Sequence, residues 1–245
     1  MLRSGTTYLF HKLGEWRREP LVPLLFLVAA AGIFFFLKLA SEVREDEFRH
    51  YDEAILLMMR EPGNPADPVG SARIEEMARD LTALGSFTIL TLVSIIGISV
   101  ALFAGKRKLA LAGLISVLSG MAMMNLLKSS YSRERPDLVV HATPVHDASF
   151  PSGHTTMASI VYLTLGIMLA RTQPRKRVRI FVIALSIVIT VSVGVSRVYL
   201  GVHWPTDVVA GWALGTVWAV LFWFAAKVRS RKAKLAAKAR PAENP

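Results

Sequence analysis

Long blocks of apolar residues alternate with shorter polar connections along most of the chain. A helix needs about 20 apolar residues to cross the hydrocarbon core of a bilayer, and six blocks approach or exceed that length. These blocks cover residues 21–40, 81–104, 109–127, 154–170, 178–196 and 208–226. A backbone away from water must satisfy its own hydrogen bonds, so each block is predicted to be an α-helix. The pattern predicts an all-α, polytopic membrane protein with six transmembrane helices and a single domain over residues 1–245.

Composition supports the membrane class. Hydrophobic residues make up 53% of the 245 residues, and the mean hydropathy is +0.42. The net charge of +11 raises the question of nucleic acid. However, the basic residues form short clusters between apolar blocks and lack interleaved aromatic residues, so no nucleic-acid partner is expected. The absence of cysteine excludes disulfides, thiolate metal sites and a cysteine nucleophile.

The basic residues also predict the orientation. With six spans, the two termini share one side of the membrane with the second and fourth connections. These four regions carry four, seven, three and five Lys or Arg residues, which is 19 of the 29 in the chain. The positive-inside rule therefore places the N-terminus (1–20) and the basic tail (227–245) in the cytoplasm. We expect a multi-pass protein of the inner (plasma) membrane, with a tail that frays from Arg229.

The first outer connection, residues 41–80, begins with a run of charges and continues with apolar residues at helical spacing. These residues are Phe48, Tyr51, Ile55, Met58 and Met59. Such a pattern is typical of an amphipathic helix at the membrane interface. The prolines and glycine of residues 62–65 should end it. We interpret this helix as a packing element and not as a lid.

Polar residues that topology does not explain collect in three segments, residues 128–136, 151–154 and 196–207. All three fall at the third and fifth connections and therefore on the outward side. Two predicted helix N-termini would face the same pocket as the three cations Lys128, Arg135 and Arg197. Helix N-termini and guanidinium groups both favour anions, and phosphate suits them well. The sequence predicts an outward-facing phosphate pocket.

Histidines in this pocket indicate chemistry beyond binding. His154 and His203 each stand at a predicted helix start, and Asp207 follows His203 by four residues. Near neutral pH, histidine can act as nucleophile, general acid or general base. A carboxylate on the far ring nitrogen would fix its tautomer and raise its nucleophilicity. Asp207 is spaced for that role.

These segments resemble the signature motifs of the type 2 phosphatidic acid phosphatase superfamily, which includes glucose-6-phosphatase and the vanadium haloperoxidases. The matching segments are Lys128-Ser-Ser-Tyr-Ser-Arg-Glu-Arg135-Pro136, Pro151-Ser152-Gly153-His154 and Ser196-Arg197-Val-Tyr-Leu-Gly-Val-His203-Trp-Pro-Thr-Asp207. The positions match in type, spacing and order. The 41–80 connection lies outside the signature motifs. The resemblance therefore does not predict which substrate the protein selects.

The resemblance implies a role for each matching residue. Phosphate would be held by Lys128, Arg135, Ser152, Gly153 and Arg197. His203 would attack phosphorus and be oriented by Asp207, while His154 would protonate the leaving oxygen and then activate water. Because no carboxylate cluster suits Mg²⁺, we expect no metal and no cofactor.

Each motif alone has an ordinary structural explanation. Lys128 could snorkel at a helix end, Pro-Ser-Gly could merely cap a helix, and Asp207 could favour a helix dipole. All three motifs lie on one face, so a single functional site explains them better than three separate coincidences. Other charged residues of the third connection are interpreted as solvated or local loop residues, namely Arg133, Glu134, His141, His146 and Asp147. The Gly211 and Gly215 pair is interpreted as packing inside the bundle.

The function predicted from sequence is hydrolysis of a phosphate or diphosphate on a membrane lipid. Undecaprenyl diphosphate, phosphatidylglycerophosphate, phosphatidic acid and a lipid A phosphate are all candidates. A lipid-to-lipid phosphotransferase would use the same site. A transporter or lipid-binding scaffold is the alternative outside enzymes, although transporters usually place polar sites near the bilayer midplane. The expected partners are the lipid substrate and membrane lipids, and the oligomeric state stays open.

Overall fold

A computed structural model describes residues 21–139 and 148–238, with side chains described for 23–139 and 148–224. The predictions for residues 1–20 and for His141, His146 and Asp147 lie outside the described residues. The described chain is mostly helical. Its elements are α1 (Leu21–Arg44), α2 (Arg49–Leu57), β1 (Arg60–Glu61), β2 (Asn64–Pro68), α3 (Ala72–Ala83), α4 (Phe87–Phe103), α5 (Arg107–Ser130), α6 (Gly153–Ala170), α7 (Lys176–Tyr199) and α8 (Pro205–Lys238).

Five helices are long and apolar enough to cross a membrane, and α3 with α4 adds a sixth if this bent pair counts as one span. The two helices meet at 51°, so the prediction of one unbroken span over 81–104 is wrong. Gly85 lies at the bend, and a Cβ there would come within 3.3 Å of the His154 carbonyl oxygen. Ser86 then caps α4 by accepting a hydrogen bond from the Ile89 N–H at 3.4 Å. The bend brings the chain against the start of α6.

Helix α6 is the centre of the bundle. The share of its span that is buried inside the bundle is 61%, compared with 22–39% for the other four spanning helices. It packs against α4, α5, α7 and α8, while α1 packs on the outer side of α8. Gly211 and Gly215 of α8 face Thr156 and Ser159 of α6, so this glycine pair packs inside the bundle as predicted. The start of α6 therefore lies where several helices converge.

The first connection contains more than one helix. Besides α2 and α3 it holds a two-stranded antiparallel hairpin in which Arg60 pairs with Pro68, so the fold is not purely α-helical. The turn residue Gly63 has φ +81°, a conformation that glycine adopts without strain. Helix α2 is the predicted short helix, and its position at a membrane interface stays a prediction. Its buried face consists of Asp52 and Leu56, while three residues of the predicted apolar face are exposed, Tyr51, Ile55 and Met58.

The expected fraying from Arg229 does not occur, because α8 continues to Lys238. Residues 227–238 are rich in Ala, Lys and Arg, which have high helix propensity. The residues beyond this point, 239–245, are outside the described part.

Candidate active site

The ends of α5 and α6 meet at the predicted phosphate pocket. Lys128 lies in the last turn of α5 and Gly153 opens α6. A Cβ placed on Gly153 would lie 3.5 Å from the Lys128 Nζ. The glycine therefore leaves room for the ammonium group beside the first turn of α6. A cation beside the N-terminus of a helix is a favourable setting for an anion.

Two further contacts hold residues of the predicted site in place. The Ser152 N–H donates to the Asp207 carbonyl oxygen at 3.1 Å, which ties the start of α6 to the start of α8. Arg197 is buried in the last turn of α7 and donates to the Thr82 hydroxyl of α3 at 3.1 Å. Its anchor on α3 could not be predicted from the motifs, because Thr82 lies outside them.

His203 lies in the loop between α7 and α8 and is 1% exposed. The Arg135 Nη1 lies 3.2 Å from the His203 Nε2 and also donates to the Val202 carbonyl oxygen at 2.6 Å. A guanidinium group can only donate, so the Nε2 must accept. The ring proton is then on Nδ1, which lies 3.4 Å from the Asp207 Oδ2. This tautomer directs the Nε2 lone pair toward the Arg135 guanidinium group.

Burial lowers the pKa of His203 to about 4. The hydrogen bond and negative charge of Asp207 oppose this shift, while the positive charges of Arg197 and Arg135 add to it. His203 is therefore neutral at physiological pH. A neutral imidazole is the form that can act as a nucleophile.

Asp207 is completely buried, and both carboxylate oxygens have donors. The Oδ2 accepts from the Trp204 N–H at 3.0 Å and from the Ser149 hydroxyl. The Oδ1 accepts from the Arg133 Nη1 at 2.6 Å. Such a set of donors holds the carboxylate in its charged form and in one orientation.

The interpretation of Arg133 as a local loop charge is wrong. Its side chain is only 10% exposed and forms salt bridges with Asp207 and Asp52. Ser149 is a further site residue that the motif analysis missed. Arg133 stands inside the first motif, and Ser149 lies shortly before the second. Their closeness to the motifs in sequence was the signal that could have indicated a position in the site. For Asp52, the signal was a carboxylate one helical turn before the buried Leu56.

A cavity of about 570 Å³ opens beside the start of α6. Its polar end includes Lys128, Gly153 and His154, and most of its remaining wall is apolar. The apolar lining comes from α4, α5 and α6 and includes Leu90, Ile95, Ile98, Leu114, Val117, Leu118, Met121 and Met157. A cationic end on an apolar cavity fits an amphiphile with an anionic headgroup.

Within residues 21–139 and 148–238, no group of three or more His, Asp or Glu residues is arranged to hold a metal ion.

A family model for the PAP2 superfamily matches residues 109–231, just over half of the chain. The chain belongs to the PAP2 superfamily. The match includes all three sequence motifs and most of the helices α5 to α8. This PAP2 protein is accordingly a multi-pass membrane protein, as predicted from its apolar blocks, and a lipid phosphatase, as predicted from its motifs.

Relatives extend the similarity beyond the motifs. Phosphatidylglycerophosphatase B of Bacillus subtilis (strain 168) is 34% identical over 190 residues, which cover 74% of this chain and 86% of that protein. An undecaprenyl-diphosphatase of Sulfolobus acidocaldarius is 34% identical over 120 residues, covering 47% of this chain and 54% of that protein. The crystal structure of a transmembrane PAP2-type phosphatidylglycerolphosphate phosphatase from Bacillus subtilis has a TM-score of 0.72 and 29% identity, covering 83% of this chain and 96% of that one.

Proposed function

We propose that this protein hydrolyses a lipid monophosphate or diphosphate through a phosphohistidine formed on His203. The observation that carries this proposal is the fixed tautomer of His203, whose Nε2 meets Arg135 while Nδ1 faces Asp207. A buried, neutral imidazole with its lone pair beside a cation is prepared for attack on an anionic phosphorus centre.

In the first step, the phosphoryl oxygens are held by five residues of the motifs. These are Lys128, Arg135, Arg197, Ser152 and, through its N–H, Gly153. Arg135 turns from Nε2 to the phosphate, which frees the lone pair. The His203 Nε2 forms a bond to phosphorus as the bond from phosphorus to the leaving oxygen breaks. That oxygen is the ester oxygen of the lipid in a monophosphate and the bridging oxygen in a diphosphate. His154 donates a proton to that leaving oxygen, and Asp207 stabilises the positive charge that develops on the His203 ring.

In the second step, His154 is neutral and accepts a proton from a water molecule. That water forms a bond to phosphorus while the bond between phosphorus and His203 Nε2 breaks. Inorganic phosphate leaves, His203 is neutral again and His154 has regained its proton. The cycle needs no group beyond the side chains named and water.

The apolar cavity supports a lipid tail as the remainder of the substrate. Along α5 its lining runs from Lys128 to Leu114, which is about 21 Å at 1.5 Å per residue. The hydrocarbon core of a bilayer is about 30 Å thick, so this length is more than half of that thickness. Two relatives are named for phosphatidylglycerophosphate and for undecaprenyl diphosphate, and both of these lipids carry a phosphate group on a long-tailed molecule. The same class, with phosphatidic acid and lipid A phosphate included, is proposed here.

A phosphate-release panel over these four lipid classes tests the proposal, with purified protein and His203→Ala as the blank. We expect release from at least one class, and none above background in the variant. Equal release by both proteins would contradict the mechanism. Release that requires a second lipid as acceptor would replace hydrolysis by phosphotransfer.

We further propose an outward-facing site in the inner membrane, supported by the distribution of basic residues. The chain has no cysteine, so single cysteines can be introduced without background. Asp67→Cys in β2 should react with an impermeant thiol reagent in intact cells, and Lys234→Cys near the end of α8 should not. The opposite labelling pattern would reverse the orientation.

A further inference from the structure

Asp52 is a buried carboxylate on helix α2, where it shares the buried face with the apolar Leu56. It is 1% exposed, while its helix neighbours Tyr51 and Ile55 are 63% and 42% exposed. A carboxylate this deeply buried is costly unless it is fully paired. Its partners therefore indicate why helix α2 turns this residue inward.

All partners of Asp52 belong to the motif region. Its Oδ1 accepts from the Thr206 N–H at 2.9 Å, in the first turn of α8. Its Oδ2 accepts from the Thr206 hydroxyl at 2.6 Å and from the Arg133 Nη2 at 2.7 Å. Burial raises the pKa of Asp52, and the hydrogen bonds from Thr206 and Arg133 oppose that rise. The contacts favour a charged Asp52.

Arg133 continues the chain of contacts to the reacting histidine. One arm of its guanidinium group reaches Asp52, and the other donates to the Asp207 Oδ1 at 2.6 Å. The other carboxylate oxygen of Asp207, Oδ2, lies 3.4 Å from the His203 Nδ1 and also accepts from the Trp204 N–H and the Ser149 hydroxyl. A planar guanidinium held at both arms cannot rotate freely, so it fixes the plane of the Asp207 carboxylate.

We propose that Asp52 and Arg133 are positioning residues, in which Asp52 holds Arg133 and Arg133 holds Asp207 against His203. Helix α2 then contributes to catalysis, although it lies outside the three motifs. The inference rests on the proposed function for the roles of His203 and Asp207.

The charges explain why two carboxylates are needed. Arg133 alone would neutralise Asp207 and weaken its stabilisation of the positive charge that develops on His203. With Asp52 included, the trio carries one net negative charge. Asp52 also accepts from the first turn of α8, which anchors the helix that carries Asp207.

Four variants test the proposal: Asp52→Asn, Arg133→Gln, their combination, and the control Glu53→Gln. Glu53 is a matched control because it lies one residue along α2 and also binds an arginine, Arg49, at 2.6 Å. That pair is about one-third exposed. The measurements are kcat, KM, the rate of phosphoenzyme formation and the thermal unfolding midpoint, with activity assayed well below each midpoint.

A small misplacement of a reacting group can cost about 10²-fold in rate. We expect Arg133→Gln to lower kcat and the phosphorylation rate by about that factor, and Asp52→Asn by about tenfold, with KM within about twofold of wild type. Because Asp52 acts through Arg133, the double variant should be no slower than Arg133→Gln alone. Glu53→Gln should match wild type. Arg133→Lys provides a second variant that keeps the charge but lacks the fork, and it should fall between wild type and Arg133→Gln.

Several results would overturn the proposal. Losses that multiply in the double variant would show independent action, and a rise in KM at constant kcat would show substrate contact. A lower unfolding midpoint with wild-type kcat would leave Asp52 and Arg133 a purely structural role. His203→Ala is assayed alongside to separate the two proposals. If it keeps activity, the proposed function fails; if it is inactive while Asp52→Asn and Arg133→Gln match wild type, only the positioning inference fails.

Discussion

The two histidines of the site lie in different surroundings. His203 is buried in a loop, with Arg135 at one ring nitrogen and Asp207 at the other. His154 lies in the first turn of α6 and lines the cavity that would receive the lipid. The two residues are the same in type, but they differ in their burial and in their hydrogen-bond partners.

This difference supports the division of labour proposed above. A nucleophile benefits from a fixed tautomer and from protection against protonation, both of which the loop provides for His203. A group that protonates a leaving oxygen and then deprotonates water must reach the substrate and the solvent. His154 lines the cavity proposed for the lipid, which suits contact with a substrate.

The largest expected effect comes from removing each histidine in turn. His203→Ala should reduce turnover of the lipid substrate to background, because no other group forms the bond to phosphorus. Loss of a general acid or base typically costs about 10²- to 10⁴-fold, and His154→Ala should fall in that range. Steady-state phosphate release measures both. Turnover by His203→Ala that equals or exceeds that of His154→Ala would reverse the division.

A smaller effect is expected from narrowing the cavity beside His154. Thr91 of α4 lines the cavity, and phenylalanine there would occupy the space proposed for the tail. Overpacking costs about 1–3 kcal/mol, so Thr91→Phe should raise KM for a long-tailed lipid phosphate about tenfold or more. A short, water-soluble phosphate ester should keep its KM.

The matched control for this variant is Val100→Phe. Val100 lies on the same helix, is 56% exposed and is not part of the cavity lining. It should leave both KM values unchanged. An equal rise in KM for the short and the long substrate in Thr91→Phe would contradict the tail position.

The smallest effect is a displaced pH dependence. His203 must be neutral to react, and its pKa of about 4 predicts that phosphorylation is lost only as the pH falls toward 4. The unfolded chain protonates this group near pH 6.5, so the folded state also loses stability between pH 6.5 and 4. The burst of alcohol from an activated phosphate ester in His154→Ala isolates this titration. After correction for the ionisation of the ester, a midpoint near pH 6.5 would contradict a buried His203.

Contacts such as the hydrogen bond from the Ser152 N–H to the Asp207 carbonyl oxygen bring segments of the predicted site together, while the roles of their residues stay predictions. The motifs predicted the family and the lipid phosphatase activity. They did so because a phosphate site needs particular side chains at fixed places in the chain. Asp52 and Ser149 escaped prediction because their contacts with Arg133, Thr206 and Asp207 join parts of the chain that only tertiary packing brings together. The bend at Gly85 was missed because hydropathy continues across it, while the contact with His154 that requires a small residue is not local.

Locating the phosphate on the trapped phosphoenzyme tests directly whether His203 is the nucleophile. Wild-type protein and His154→Ala would be quenched during reaction with an activated phosphate ester and mapped by mass spectrometry under conditions that preserve phosphohistidine. We expect phosphate on His203 in both proteins, with greater accumulation in His154→Ala because its hydrolysis step is impaired. Phosphate on His154, or any phosphohistidine in His203→Ala, would contradict the account.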